Sequence, residues 1–167
     1  RWATHGVPNV PNAHPHFVDG VAVVHNGIIE NFSELKDELV AEGAVFESQT
    51  DTEVVAHLLA KYTREGLNHR DAMLKMLNRV HGAYALVVMF KDAPDTILSA
   101  RFGPPLAIGH GRGEMFLGSD AIALSPFTNE ITYLVDGDFA VITHDKLEVT
   151  DYAGKPVKRQ SQISQAA

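Results

Sequence analysis

Val21-Ala22-Val23-Val24-His25-Asn26-Gly27-Ile28-Ile29-Glu30-Asn31 is the stretch that decides the fold. A β-branched run that stops at Asn-Gly predicts a strand over about residues 20–25, ending where glycine takes backbone angles that other residues avoid. An Asn carboxamide and the following Gly N–H, fixed together at a strand end, are two donors of the kind that stabilise a developing oxyanion. Asn-Gly is also the commonest hairpin-turn pair. The sequel favours passage from strand to helix. Asn31-Phe32-Ser33-Glu34 has the form of a capping box, Leu35, Leu39 and Val40 share one helical face, and Gly43 is a natural stop.

Outward from this stretch the pattern is helical first and extended later. Val45-Phe46-Glu47 predicts a short strand, and Val54, Val55, Leu58, Leu59 and Tyr62 a helix that Gly66 ends. A third helix is expected from about Asn68, with Met73, Met76, Leu77 and Val80 on its buried face and Gly82 just past its end. Those methionines suit core filling. The continuous apolar run 84–90 suits a strand covered on both faces. Shorter strands are predicted at 96–100, 106–108, 115–117, 131–134, 139–143 and 147–150, with one helical turn at 121–124. Helices gathered in the first half and strands in the second give an α+β fold of stacked layers. Residues 1–19, broken by Pro8, Pro11 and Pro15, are expected to be a functional loop. The Gln- and Ser-rich residues 158–167 are expected to be a tail or linker, which leaves 1–157 as one domain.

A chain of 167 residues with 45% hydrophobic content suits a single core. No apolar stretch approaches the ~18–20 residues of a membrane span, and the start lacks a signal-peptide layout, so a soluble, cytoplasmic protein is expected. Fourteen Lys and Arg against 21 Asp and Glu give a net charge of −7 with no basic run, which argues against a nucleic-acid partner. The absence of cysteine excludes disulfides, thiolate zinc sites and a cysteine nucleophile within these residues. His5, His14, His16 and His25 lack the helical i, i+4 spacing of a zinc protease, so neither metal nor cofactor is expected. His57, His69, His81, His110 and His144 are scattered and take a structural reading.

Three polar groups remain, and their chemistry is complementary. Arg1 suits a carboxylate, Asp51 suits an ammonium group, and Asn26 with Gly27 suits a polarised carbonyl. Together they would hold an α-amino acid at one end and activate an amide or ester at the other. Besides the hairpin turn for Asn26-Gly27, plainer alternatives are a solvated Arg1 and, for Asp51, a helix start where Thr50 and Glu53 form a capping box and the aspartate merely complements the helix dipole.

Arg1-Trp2-Ala3-Thr4-His5-Gly6, Asn12-Ala13-His14-Pro15-His16, Val24-His25-Asn26-Gly27-Ile28-Ile29-Glu30-Asn31 and Thr50-Asp51-Thr52-Glu53-Val54 occur in that order. With Gly82-Ala83-Tyr84-Ala85 and Gly118-Ser119-Asp120, they resemble the glutaminase domains of the glucosamine-6-phosphate synthase family, the glutamine–fructose-6-phosphate aminotransferases. The resemblance covers nearly the whole chain. It implies a four-layer αββα sandwich of the N-terminal nucleophile hydrolase type. It also implies L-glutamine as substrate, Arg1, Thr4 and His5 around the glutamine α-carboxylate, Asp51 on its α-ammonium, and Asn26 with Gly27 as oxyanion hole. Trp2 would lie on a loop covering glutamine. Sugar-phosphate isomerase domains in the same polypeptide, and a homo-oligomeric intact enzyme, are further implications.

The departure from the family is the nucleophile. There a cysteine at the mature amino terminus attacks the amide, whereas these residues contain none and begin inside the first motif, so the chain is expected to be a fragment lacking the first strands. A catalytically silent amino-acid-binding module, or a glutaminase of another class II amidotransferase, are the alternatives. The 167 residues alone are expected to release no ammonia from glutamine beyond an Asn26→Ala control, and a coupled ammonia assay checks this.

Overall fold

The computed structural model describes residues 15–165. Strands β1 (His16–Val18) and β2 (Val21–Ile29) form a hairpin across Asp19-Gly20, both at positive φ (46° and 82°), the geometry that matches strand twist in a two-residue turn. Helices α1 (Phe32–Ala41), α2 (Thr52–Arg64) and α3 (His69–Leu77) follow. Then come β3 (Gly82–Phe90), β4 (Ala93–Phe102), β5 (Ala107–His110) and β6 (Met115–Gly118), the short α4 (Ala121–Leu124), β7 (Glu130–Tyr133), β8 (Asp138–Ile142), β9 (Leu147–Thr150) and β10 (Gln162–Ile163).

These make two antiparallel sheets, in the orders β1-β2-β3-β4-β8-β9 and β10-β7-β5-β6. Alternation along the strands sorts the core into layers. One face of the larger sheet, with Val21, Val23, Leu86, Val88 and Leu98, packs on Leu35, Val55, Leu58 and Met73 of the helices. Its other face, through Ala85, Ala140 and Ile142, meets Leu106, Ile108 and Leu134 from the smaller sheet and the segments flanking it. On the outer face of the smaller sheet, Ala107 and Ile131 pack on Ala121 and Leu124 of α4. The order is helix, sheet, sheet, helix, the four-layer sandwich that the resemblance implies and that agrees with the layered α+β reading. The smaller sheet covers the larger one only in part. Val24, Ile28 and Met89, on the same face as Ala85, remain 45%, 41% and 38% exposed, so β3 is enclosed on both sides over part of its length rather than throughout.

The helix ends follow the expected chemistry. Gly43 (φ 100°) ends α1 with its N–H on Val40 O and the Ala44 N–H on Leu39 O, and Gly66 ends α2 in the same way through Thr63 O and Tyr62 O. The Asn68 side chain caps α3 by accepting from Asp71 N–H at 2.8 Å.

Four local expectations give way to longer-range bonds. β2 does not stop at His25; it pairs residue by residue with β3 through Asn26, Gly27 and Ile28 to Ile29, so Asn-Gly lies inside a ladder and the turn falls at Glu30-Asn31. Asn31 makes no capping box, because its carboxamide donates to Arg79 O and accepts from His81 N–H, both at 2.9 Å. Residues 44–48 form no strand, since the Glu47 and Ser48 N–H groups are taken by the Glu53 carboxylate. The tail is tied down: β10 pairs with β7, Ser164 N–H donates to Asn129 O at 2.7 Å, and Arg159 grips the buried Asp138 carboxylate with two bonds of 2.8 and 2.9 Å.

Gly82 opens β3 instead of closing α3. It has φ 138°, and a Cβ there would lie 2.1 Å from Ile28 O. Backbone strain of this kind costs about 1–3 kcal/mol before the clash is counted. Gly82→Ala should therefore lower the urea midpoint by at least that equivalent with the m-value unchanged, as equilibrium unfolding would register.

Candidate active site

Asp51 and Thr52 bring the start of α2 against β2. Asp51 Oδ2 accepts from the Ile29 N–H at 2.7 Å, and Thr52 Oγ1 lies 2.9 Å from His25 Nδ1, with all three side chains buried. Asp51 has helical backbone angles (φ −66°, ψ −26°) and makes no side-chain cap bond, because an effective N-cap needs an extended backbone. Its carboxylate is turned onto the strand instead.

Successive residues of a strand send their N–H and C=O groups to opposite edges. Glu30 N–H donates to His81 O and Lys91 N–H to Gly20 O, so the even-numbered residues of β2 face β3. Gly27 and Ile29 therefore face the other edge, which β1 covers only as far as Val23. Asp51 occupies that edge at Ile29, about 7 Å along the strand from Gly27. Asn26 is exposed, on the sheet face away from the helices, and Gly27 is half-buried at φ 119°. A Cβ at Gly27 would meet Ala83 O at 2.1 Å, so glycine is required here by close backbone approach inside the sheet, not by a turn.

The structure thus gathers Asp51, Asn26 and Gly27 at one end of β2. Arg1, Trp2, Thr4, His5 and His14 lie outside the described residues. A cavity of about 760 Å³ lies elsewhere, between β1, the end of α1 and α2, with His16, Val45, Glu47, Glu53 and His57 in its wall; none of Asn26, Gly27 and Asp51 lines it. Among the described residues, no group of three or more His, Asp or Glu side chains is placed to hold a metal ion, and no helix is long and apolar enough to cross a membrane.

Residues 11–126 match the profile of the glutamine amidotransferase domain family. The chain belongs to that family. This amidotransferase chain is 81% identical over 166 residues to a glutamine–fructose-6-phosphate aminotransferase (isomerizing) of Agrobacterium fabrum, covering 99% of the chain and 27% of that protein. It is 70% identical over 167 residues to one of Rhizobium meliloti, covering 100% of the chain and 28% of the relative. The chain therefore spans little more than a quarter of the length of these curated relatives. Among solved structures, a glutamine phosphoribosylpyrophosphate amidotransferase from B. subtilis, complexed with ADP and GMP, superposes with a TM-score of 0.75 at 26% identity. That match covers 93% of this chain and 34% of the other. The layered fold is the αββα arrangement of the N-terminal nucleophile hydrolases.

Within the amidotransferase fold, the Thr50–Glu53 capping box is replaced by a different use of the same glutamate. Glu53 accepts from Ser48 N–H at 2.6 Å and Glu47 N–H at 2.9 Å, and lies 3.1 Å from His57 Nε2. The His57 ring packs against Phe46 with centroids 4.2 Å apart and the planes tilted by 31°, and His16 Nε2 lies 2.9 Å from Thr50 Oγ1. His16 stands in the Asn12-Ala13-His14-Pro15-His16 motif and His57 lies one helical turn beyond Glu53, but the sequence gives neither a role: the His16 partner is 34 residues away, and the amides that Glu53 grips lie on irregular backbone.

Burial pushes the Glu53 carboxyl upward, but hydrogen bonds from Ser48, the Glu47 amide and His57 outweigh it and hold the group below the ordinary value of 4.5. A depressed carboxylate stabilises the fold above its unfolded pKa and ceases to do so as pH falls through its folded one. The stability advantage of the native chain over Glu53→Gln should accordingly be full at about pH 6 and shrink steadily below the ordinary carboxylate range. Urea titrations at stepped pH measure it, and a gap that stays constant into strong acid would contradict it.

Proposed function

We propose that this chain forms the greater part of the glutamine-hydrolysing site of a glutamine–fructose-6-phosphate aminotransferase. The observation that carries the reading is the Asp51 carboxylate on the same edge of β2 as Gly27, one residue beyond Asn26. An ammonium ligand and a pair of amide donors about 7–10 Å apart along a strand suit the two ends of glutamine. In this reading Asp51 takes the α-ammonium, and Arg1, with Thr4 and His5, takes the α-carboxylate. Trp2 covers the substrate, while Asn26 Nδ2 and Gly27 N–H receive the oxyanion that forms when the side-chain amide is attacked.

Attack by a cysteine thiolate would give a tetrahedral oxyanion. Its collapse expels ammonia after protonation of the leaving nitrogen, and water then cleaves the thioester to glutamate. The 167 residues contain no cysteine, so the thiol belongs to sequence beyond them in this reading. Identity of 81% across 99% of the chain, against 26% to the phosphoribosylpyrophosphate enzyme, supports fructose 6-phosphate as the acceptor in the whole protein. Sugar-phosphate isomerase domains in the same polypeptide, a homo-oligomeric state and a cytoplasmic site for hexosamine synthesis complete the proposal.

The experiment exchanges this chain for the matching segment of the Agrobacterium fabrum relative and follows glutamine-dependent glutamate formation. Asn26→Ala should lower kcat by about 10²–10³, the usual cost of one oxyanion donor, while Asp51→Asn should act mainly by raising KM. An Asn26→Ala enzyme within a few-fold of the parent would refute the oxyanion role.

A further inference from the structure

The chain reaches Asp51 through residues 44–50, which belong to no helix or ladder. Side chains hold this stretch in place. The Glu47 and Ser48 amides both donate to the Glu53 carboxylate, and Ser48 Oγ and Thr50 Oγ1 are 3.1 Å apart. Thr50 Oγ1 in turn meets His16 of the edge strand β1. Glu53 is 3% exposed and is steadied from behind by His57, one helical turn further on. A buried carboxylate that accepts two backbone N–H groups and a ring nitrogen is a rigid clamp, because each bond opposes the desolvation that burial imposes.

We propose that Glu53, steadied by His57, is the positioning residue that sets Asp51 for the α-ammonium group of the substrate. The clamp is geometrically suited to this. Glu53 lies two residues beyond Asp51 on the helix, and the amides it grips lie three and four residues before Asp51, so the loop is closed around the aspartate from both sides. With Asp51 Oδ2 committed to the Ile29 N–H, a small rotation of the Asp51 backbone would break that bond and swing the carboxylate off the strand edge. Glu53 touches no substrate; it acts through Asp51. The inference rests on the ammonium role proposed for Asp51 above. It also gives the buried His16 and His57 a task that composition and spacing left open.

The test uses the same full-length exchange enzyme and compares glutamine with glutaramate, its analogue lacking the α-amino group, as a competitive inhibitor. Glu53→Ala should raise the glutamine KM about tenfold, which corresponds to about 1.4 kcal/mol. It should leave kcat and the glutaramate inhibition constant nearly unchanged. Glu53→Gln, which keeps one of the two acceptor oxygens for the loop, should restore part of the loss. His57→Phe, which keeps the ring contact with Phe46 but loses the bond to Glu53, should fall between. If Glu53→Ala fails to fold, those two shape-keeping variants carry the comparison. Equal weakening of glutamine and glutaramate, or no weakening of either, would overturn the positioning role. Asp51→Asn separates the two ideas: if it leaves the preference for glutamine over glutaramate intact, the ammonium role itself is refuted whatever Glu53 does.

Discussion

A single hydrogen bond, from the Ile29 N–H to Asp51 Oδ2, joins the two parts of the chain that the proposed chemistry needs together. It crosses 22 residues of sequence and seats the first turn of α2 on the edge of β2 that β1 leaves open. A buried N–H without an acceptor costs about 1–3 kcal/mol, so β2 cannot end there unless something supplies an oxygen. The neighbouring contact between Thr52 and His25 makes the attachment two-pointed, which fixes rotation of the helix start as well as its distance. The layered core determines where α2 lies, and these polar contacts determine how its beginning is oriented.

The same region is shaped by two glycines set diagonally across the β2–β3 ladder. Gly27 and Gly82 flank the Ile28–Ala83 pair on adjacent strands, and each lets a carbonyl of the other strand approach where a side chain would stand. The ladder therefore continues past Asn26 while its backbone departs from regular pleating. This allows Asn26 to stand on an open part of the sheet and Gly27 to keep its place on the free edge. Rigidity comes from the pairing, and the departure from ordinary strand geometry comes from missing Cβ atoms.

Most of the architecture was legible in the sequence because it follows from periodicity and from local punctuation. Val54, Val55, Leu58, Leu59 and Tyr62 are all buried as their spacing required, and Gly43 and Gly66 end helices by bonds to residues three to five earlier. Asn31 and Glu53 carry polar groups that a local reading satisfies nearby, whereas the fold offers Arg79 and His81 to the one and a loop preceding the helix to the other; Arg159, in a segment with no core pattern, is held by Asp138. Asn26-Gly27 reads as a strand end with a turn, because close approach of a second strand leaves no mark on the dipeptide itself. At the candidate site, residue types and their order were readable. Their spatial assembly was not, since nothing in Thr50-Asp51-Thr52-Glu53 reveals which of its oxygens will face β2.

The grip of Arg159 on Asp138 bears on where this polypeptide can be cut. Asp138 opens β8 in the interior of the larger sheet, and among the described residues its side chain accepts from the arginine and from the Val135 N–H. A boundary drawn at residue 157, where hydropathy fades, would remove the counter-charge of an enclosed acid and the outermost strand of the smaller sheet in one stroke. A recombinant version trimmed there would be expected to express less well than one extended past Ser164, although the discarded segment contains hardly any apolar surface.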